Sequence, residues 1–250
     1  VGSNAEGPLL WVERDYTPIS NWIEWEKGKC DILIKIYPTG LATSWLHKQP
    51  VGSTVWLSEP MITLKVPTLV PEESQIGVDA SEYGSVLLVL AGTGIAVAAS
   101  VLHHADSATS FGTANGRRPP LTMPISMIYA CRRDDVLMAS DIAKWCGAEP
   151  GSARLQRCVV AVSEQDAAAA APFPTSDPSL GLPELAPMAN VDVVDGRLTR
   201  ERLHSELLPL QARGRCRVVV SGPASFNGAV KEMLTLSGGV ASEDITILEA

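Results

Sequence analysis

Basic charge is in short supply. The chain has 20 Lys and Arg against 28 Asp and Glu, for a net charge of −8. A protein built to hold nucleic acid needs a basic face against the phosphates, so nucleic acid is set aside as a partner. Long apolar runs are missing as well. No stretch approaches about eighteen apolar residues without a polar residue or a turn glycine, and no spanning helix is expected. Cysteines are few and unpaired in sequence: Cys30, Cys131, Cys146, Cys158 and Cys216 are odd in number, scattered and never in a C-x-x-C pair. That favours reduced thiols inside a cell over a disulfide framework or a zinc site. The four histidines (His47, His103, His104, His204) lack metal-ligand spacing, and no metal is expected. The first residue is Val1, so a targeting peptide is expected to have been lost already.

What remains is a globular chain of 250 residues, 46% hydrophobic and 19% charged, long enough for one large domain or two smaller ones. Its texture changes along its length. Five of the six tryptophans precede Pro67, among short alternating segments at 30–37, 55–57 and 62–66 separated by Pro and Gly turns. This reads as all-β, part of a small barrel, over residues 1–70. Residues 71–83 read as a linker.

The stretch Gly84 to Ala105 organises the second part, residues 84–250. An apolar run at 86–90 suits a strand buried on both faces of a parallel sheet, and Ala91-Gly92-Thr93-Gly94 is a small-residue turn into an Ala-, Val- and Leu-rich helix. Backbone N–H groups and the positive helix end meet at such a turn, which is where phosphates bind. The usual dinucleotide fingerprint has a third glycine where Val97 stands, so an ordinary strand–turn–helix is the plainer alternative. Further strands are expected at 125–130, 157–162, 217–220 and 245–248, with helices at 135–145, 199–208 (Thr199 as N-cap) and 225–236. A low-complexity loop is expected at 164–188. The expectation is an α/β, doubly wound, parallel five-stranded sheet preceded by a partial antiparallel β-barrel. The turns Ala91–Gly94 and Ser221–Pro223 then lie at strand carboxyl ends, facing one crevice.

Three motifs carry chemistry. Arg14-Asp15-Tyr16-Thr17-Pro18-Ile19-Ser20 offers a cation for a phosphate, a ring and a hydroxyl in one extended segment; alone, it is as well read as a strand with a turn. Lys35-Ile36-Tyr37-Pro38-Thr39-Gly40-Leu41-Ala42-Thr43 combines a basic residue, an aromatic and a Gly-led turn with a hydroxyl. The third is the pair of glycine turns, Gly92-Thr93-Gly94 and Ser221-Gly222-Pro223.

In this order and spacing, together with Tyr129-Ala130 and the acidic Asp134-Asp135, the motifs resemble the ferredoxin–NADP reductase superfamily, and within it the NADH–cytochrome b5 reductase branch. The resemblance covers nearly the whole chain. It implies an FAD-binding barrel, an NAD(P)-binding α/β domain, hydride transfer from NADH (NADPH being the alternative coenzyme) to FAD, and electrons passed to a haem protein such as a b-type cytochrome. By position, it implies that Arg14 holds the FAD phosphates, that Tyr16 and Thr17 contact the isoalloxazine, and that Leu33, Lys35, Gly40, Leu41, Ala42 and Thr43 line the rest of FAD. Gly92, Thr93 and Gly94 receive the NADH pyrophosphate. Ser221, Gly222 and Pro223 sit by the nicotinamide, so that Thr17 and Ser221 are the residues nearest the chemistry. The cofactors carry the redox chemistry, and no general acid or base is needed.

The chain departs from the family pattern at four positions. Ala96 and Val97 replace a Thr-Pro, Leu41 replaces a Lys, and Ser221 replaces a Cys. Only thirteen residues precede Arg14, where the family has several strands, so an incomplete barrel is expected. Two functions follow: an active flavin-dependent reductase, or a degenerate one kept as a structural subunit of a larger assembly, with the tryptophan-rich third as partner surface. The pair Arg117 and Arg118 is a candidate contact for a 2′-phosphate, with a solvated basic pair as the alternative. Members of this family work at mitochondrial or reticulum membranes, which implies an intracellular, membrane-associated location.

Overall fold

The structure is a computed structural model and describes residues 14–37, 39–58, 83–105, 123–147, 155–164, 185, 188–236 and 238–249. Before Tyr83 the described residues form two short helices, α1 (Trp22–Glu26) and α2 (Leu41–His47). From Tyr83 onward the period changes to strand, helix, strand. The elements are β1 (Tyr83–Ala91), α3 (Ala96–Ala105), β2 (Ile125–Arg132), α4 (Ala139–Gly147), β3 (Leu155–Ser163), β4 (Val191–Asp195), α5 (Arg200–Gln211), β5 (Arg215–Gly222), α6 (Ala224–Leu236) and β6 (Ile245–Glu249).

All strand pairs are parallel, in the order β4-β3-β2-β1-β5-β6. Among the described residues the sheet has six strands where five were expected. The extra one is β4, a five-residue edge strand beside β3 that the sequence pattern does not single out. Alternate residues of β1 feed opposite faces. Val86, Leu88 and Leu90 pack with Val97, Ala98, Val101 and Leu102 of α3 and with Ile142 of α4. Leu87 and Val89 pack with Leu203, Leu207 and Leu210 of α5 and with Val230 and Leu234 of α6. Helices therefore cover both faces, and that double burial is why β1 reads as a continuous apolar run. From β1 the chain winds outward through β2, β3 and β4, then returns to place β5 on β1's other side. The strand order reverses between β1 and β5, the switch point at which ligands bind in such sheets.

The N-terminal third differs from expectation. Among its described residues the β-structure is one antiparallel bridge, Pro18 with Ile32, supported by Ile19 N–H donating to Asp31 O at 2.8 Å. The expected strand at 30–37 is extended chain with that single bridge, and 55–57 forms no strand. The segment at 62–66, the linker 71–82 and the Arg117–Arg118 pair lie outside the described residues. So does nearly all of the low-complexity loop.

Candidate functional site

The site is built around α3 and the turn that feeds it. Gly92–Ile95 is a single 3-10 turn between β1 and α3. Gly92 has φ +54, a left-handed conformation that glycine adopts without steric cost. Gly94 is needed for a different reason: a Cβ there would stand 2.2 Å from the Ser221 carbonyl oxygen. The two glycine turns expected to share a crevice therefore touch, backbone against backbone. Ser221 is 1% exposed, pairs with Leu90 on one side and Leu248 on the other, and ends β5 with Gly222. Gly222 is closed in as well, since a Cβ there would meet Phe226 and Ala91 within 3 Å. Pro223 is exposed and opens α6, where Asn227 N–H donates to its carbonyl at 2.9 Å. Thr93 is half-buried, and a Cβ on Gly92 would meet nothing within 4 Å.

The flavin-type motif lies against the same helix. Ser100 Oγ–H donates to Pro18 O at 2.9 Å, and His103 Nε2 lies 3.2 Å from Ile19 O. Tyr16 and Thr17 are half-buried just ahead of these carbonyls, and Arg14 is exposed at the segment's start. Ser20 Oγ accepts from Asp31 N–H at 3.0 Å, fixing the segment to the extended chain beyond α1.

The second motif divides. Leu33 packs on the α/β core, and the Lys35 ammonium forms an ion pair with Asp135, whose side chain is 10% exposed. Lys35 also lies 6.0 Å from the Tyr37 ring centroid. Its charge thus holds the N-terminal third to the β2–α4 connection. Gly40 is the N-cap of α2 rather than part of an open turn. Thr43 Oγ1 accepts from Tyr37 N–H at 3.2 Å, Ser44 Oγ donates to Tyr37 O at 3.0 Å, and a Cβ on Gly40 would stand 2.5 Å from Thr43 Oγ1. Leu41 is 66% exposed, and Ala42 is half-buried.

The two departures in α3 take different places. Val97 is in the core with Ala98 and Val101, so its role here is packing. Ala96, 4% exposed, shares a face with Ser100 and His103 at i, i+4 and i+7. At the carboxyl end of β2, Arg132 Nε lies 3.2 Å from Asp134 Oδ1, and Arg133 pairs with Asp195. Burial and the nearby Asp135 carboxylate push the Cys131 thiol up to about 12, so it stays protonated near neutral pH. Tyr129, buried beneath the same connection, accepts from Leu137 N–H at 3.3 Å. Sequence reasoning missed Ser100 and His103. Their signal was a serine and a histidine three apart in a helix whose remaining residues, His104 aside, are apolar, a spacing that puts both on one face.

Among the described residues, no group of three or more His, Cys, Asp or Glu is placed to hold a metal ion. Nor is any helix among them long and apolar enough to cross a membrane. Residues 6–65 match the family of oxidoreductase FAD-binding domains. No curated protein matches the chain. Among solved structures it is similar to the CS and b5R domains of human Ncb5or in the NAD+ form, at 19% identity and a TM-score of 0.56, covering 93% of this chain and 54% of that one. The fold is similar to that of these CS and b5R domains. The chain spans about half the length of that solved structure. Plasmodium falciparum ferredoxin–NADP+ reductase with 2′P-AMP also matches, at 12% identity and a TM-score of 0.47, over 88% of this chain and 70% of that one. The segment matching the FAD-binding family includes Arg14 to Ser20, the stretch held by α3.

Proposed function

We propose that the chain is a flavin-dependent NAD(P)H oxidoreductase of two modules, residues 1–70 for FAD and 84–250 for the coenzyme. When bound, the nicotinamide and FAD supply hydride transfer to the flavin and onward passage of single electrons to a haem protein or similar acceptor. One observation carries the reading: the segment matching an FAD-binding family is hydrogen-bonded to the helix that rises from the glycine turn at the sheet's switch point. The residues present fit both groups. Gly92 leaves open space on its side of the turn, and backbone N–H groups at a helix start favour a pyrophosphate. Arg14 supplies the cation for the FAD phosphates by its place at the head of the Arg14–Ser20 motif, while Lys35 pairs with Asp135. Tyr16 and Thr17 orient the isoalloxazine, and the buried Ser221 and closed Gly222 shape the floor beneath the nicotinamide and keep water from it. NADH is the favoured coenzyme in this reading, and NADPH is the alternative that Arg117 and Arg118 would serve. The location that goes with it is intracellular, at a mitochondrial or reticulum membrane, and is checked by imaging the tagged chain.

The test is a visible-absorption titration of the purified chain with FAD, followed by NADH. A flavin band that bleaches on NADH addition is expected; a chain that takes up no flavin overturns the reading. A second reading, a reductase-like structural subunit, draws on the exposed apolar side chains of Leu41, Trp45, Trp56 and Leu57. It predicts a colourless protein that co-purifies in a larger assembly.

A further inference from the structure

We propose that Ser100 and His103 are positioning residues, which use α3 as a common ruler between the coenzyme turn and the flavin segment. The inference rests on the function proposed above for its cofactors, but its geometry stands in the chain alone. The helix has two working faces. Val97, Ala98, Val101 and Leu102 bury it against the sheet and fix its axis relative to Gly92–Gly94. Ala96, Ser100 and His103 make the other face. There Ser100 Oγ donates to Pro18 O at 2.9 Å and His103 Nε2 sits 3.2 Å from Ile19 O.

A carbonyl only accepts, so the His103 ring donates from Nε2. The two bonds hold consecutive carbonyls, immediately after Tyr16 and Thr17. They therefore set both the height and the rotation of those residues relative to the helix. Ala96 belongs to this device. Its small side chain, 4% exposed, lies on the face that carries both donors. Lys35 with Asp135, and Leu33 against the core, restrain the returning extended chain. The flavin segment is thus held at Pro18 and Ile19 by α3 and at Ile19 and Ser20 by the returning chain, and α3 transmits any movement of the glycine turn to Thr17.

The test compares the full chain with the double variant Ser100→Ala and His103→Leu, with Ser100→Ala alone, and with His103→Gln, which keeps a side-chain N–H donor. Three quantities are read: FAD affinity by flavin fluorescence, the visible circular dichroism of bound flavin, and amide hydrogen exchange at Ile19 and Asp31 without flavin. Loss of both bonds is expected to weaken FAD binding about tenfold or more. It should also change the flavin dichroism and speed exchange at Ile19, with His103→Gln restoring most of each. Wild-type affinity, dichroism and exchange in the folded double variant would overturn the inference. If the double variant does not fold, Ser100→Ala decides it by the same readouts. If the parent chain takes up no FAD, the proposed function fails, and exchange at Ile19 still decides whether α3 positions the segment.

Discussion

Gly92 and Gly94 stand two residues apart and respond differently to an added methyl group. At Gly94 the new Cβ would meet the Ser221 carbonyl oxygen at 2.2 Å and its carbon at 2.6 Å, both backbone atoms held inside the sheet. Neither can swing aside, so Gly94→Ala must part β1 from β5 or distort the turn. At Gly92 a Cβ meets nothing within 4 Å, and the cost is only that of a left-handed φ of +54. Urea unfolding is expected to show a loss of about 3 kcal/mol for Gly94→Ala and about 1 kcal/mol for Gly92→Ala. Equal losses would mean that the two turns are not in contact. Arg14 makes a separate claim. If its guanidinium binds the FAD phosphates, Arg14→Ala weakens FAD binding about tenfold or more by fluorescence titration. Unchanged affinity removes Arg14 from the site.

At the scale of elements, the sequence makes visible those parts whose burial is periodic or double-sided. The apolar run of β1, its small-residue turn and the apolar helix α3 are legible because both faces of β1 are buried, leaving no polar alternation to confuse the period. The edge strand β4 escapes notice. Its Val-Asp-Val-Val-Asp run is half-buried, and its place is decided by partners distant in sequence. Arg157 on β3 donates to Glu206 of α5 through Nε at 2.8 Å and Nη2 at 3.0 Å, and its Nη2 lies 3.4 Å from Asp192 of β4. Arg202 of α5 reaches the same Asp192 oxygen at 3.3 Å. Helix α5 likewise runs past the proline at which the pattern predicts its end, since Leu210 beyond Pro209 is 5% exposed and belongs to the core. In the candidate site the two glycine turns are legible as local chemistry, but Ser100, His103 and Asp135 are not, because their partners lie some eighty to a hundred residues away. The Arg157 network gives a test at this scale. Glu206→Ala removes a bidentate partner that is 9% exposed and is expected to cost about 1–3 kcal/mol in urea. A double-mutant cycle with Asp192→Ala should be non-additive, since both carboxylates share one guanidinium. Additivity would mean that β4 and α5 are held independently.

For the whole molecule, the buried thiols set a limit on stability in alkali. Burial pushes Cys131 up to about 12, with the Asp135 carboxylate adding to the shift, and pushes Cys216 up to about 11 against a partly opposing hydrogen bond from Ser85; both start from an ordinary value of 9.0. The folded state thus keeps protons that the unfolded chain gives up. Below pH 9 both states hold them and the thiols contribute nothing to any pH dependence. Above it the unfolded chain binds fewer protons than the folded one, so stability falls as pH rises toward 11 and 12. Each thiol accounts for a loss of about 2 kcal/mol by pH 11. The same interval also titrates lysines and tyrosines, so the thiol share must be isolated by difference. Urea unfolding at pH 8, 9, 10 and 11 is expected to give a steeper decline in the parent chain than in one carrying Cys131→Ala and Cys216→Ala, whose stability at pH 8 is lower to begin with. Parallel declines in the two chains would mean that these thiols ionise as readily in the folded state as in the unfolded one, and that the core around β2 and β5 admits water.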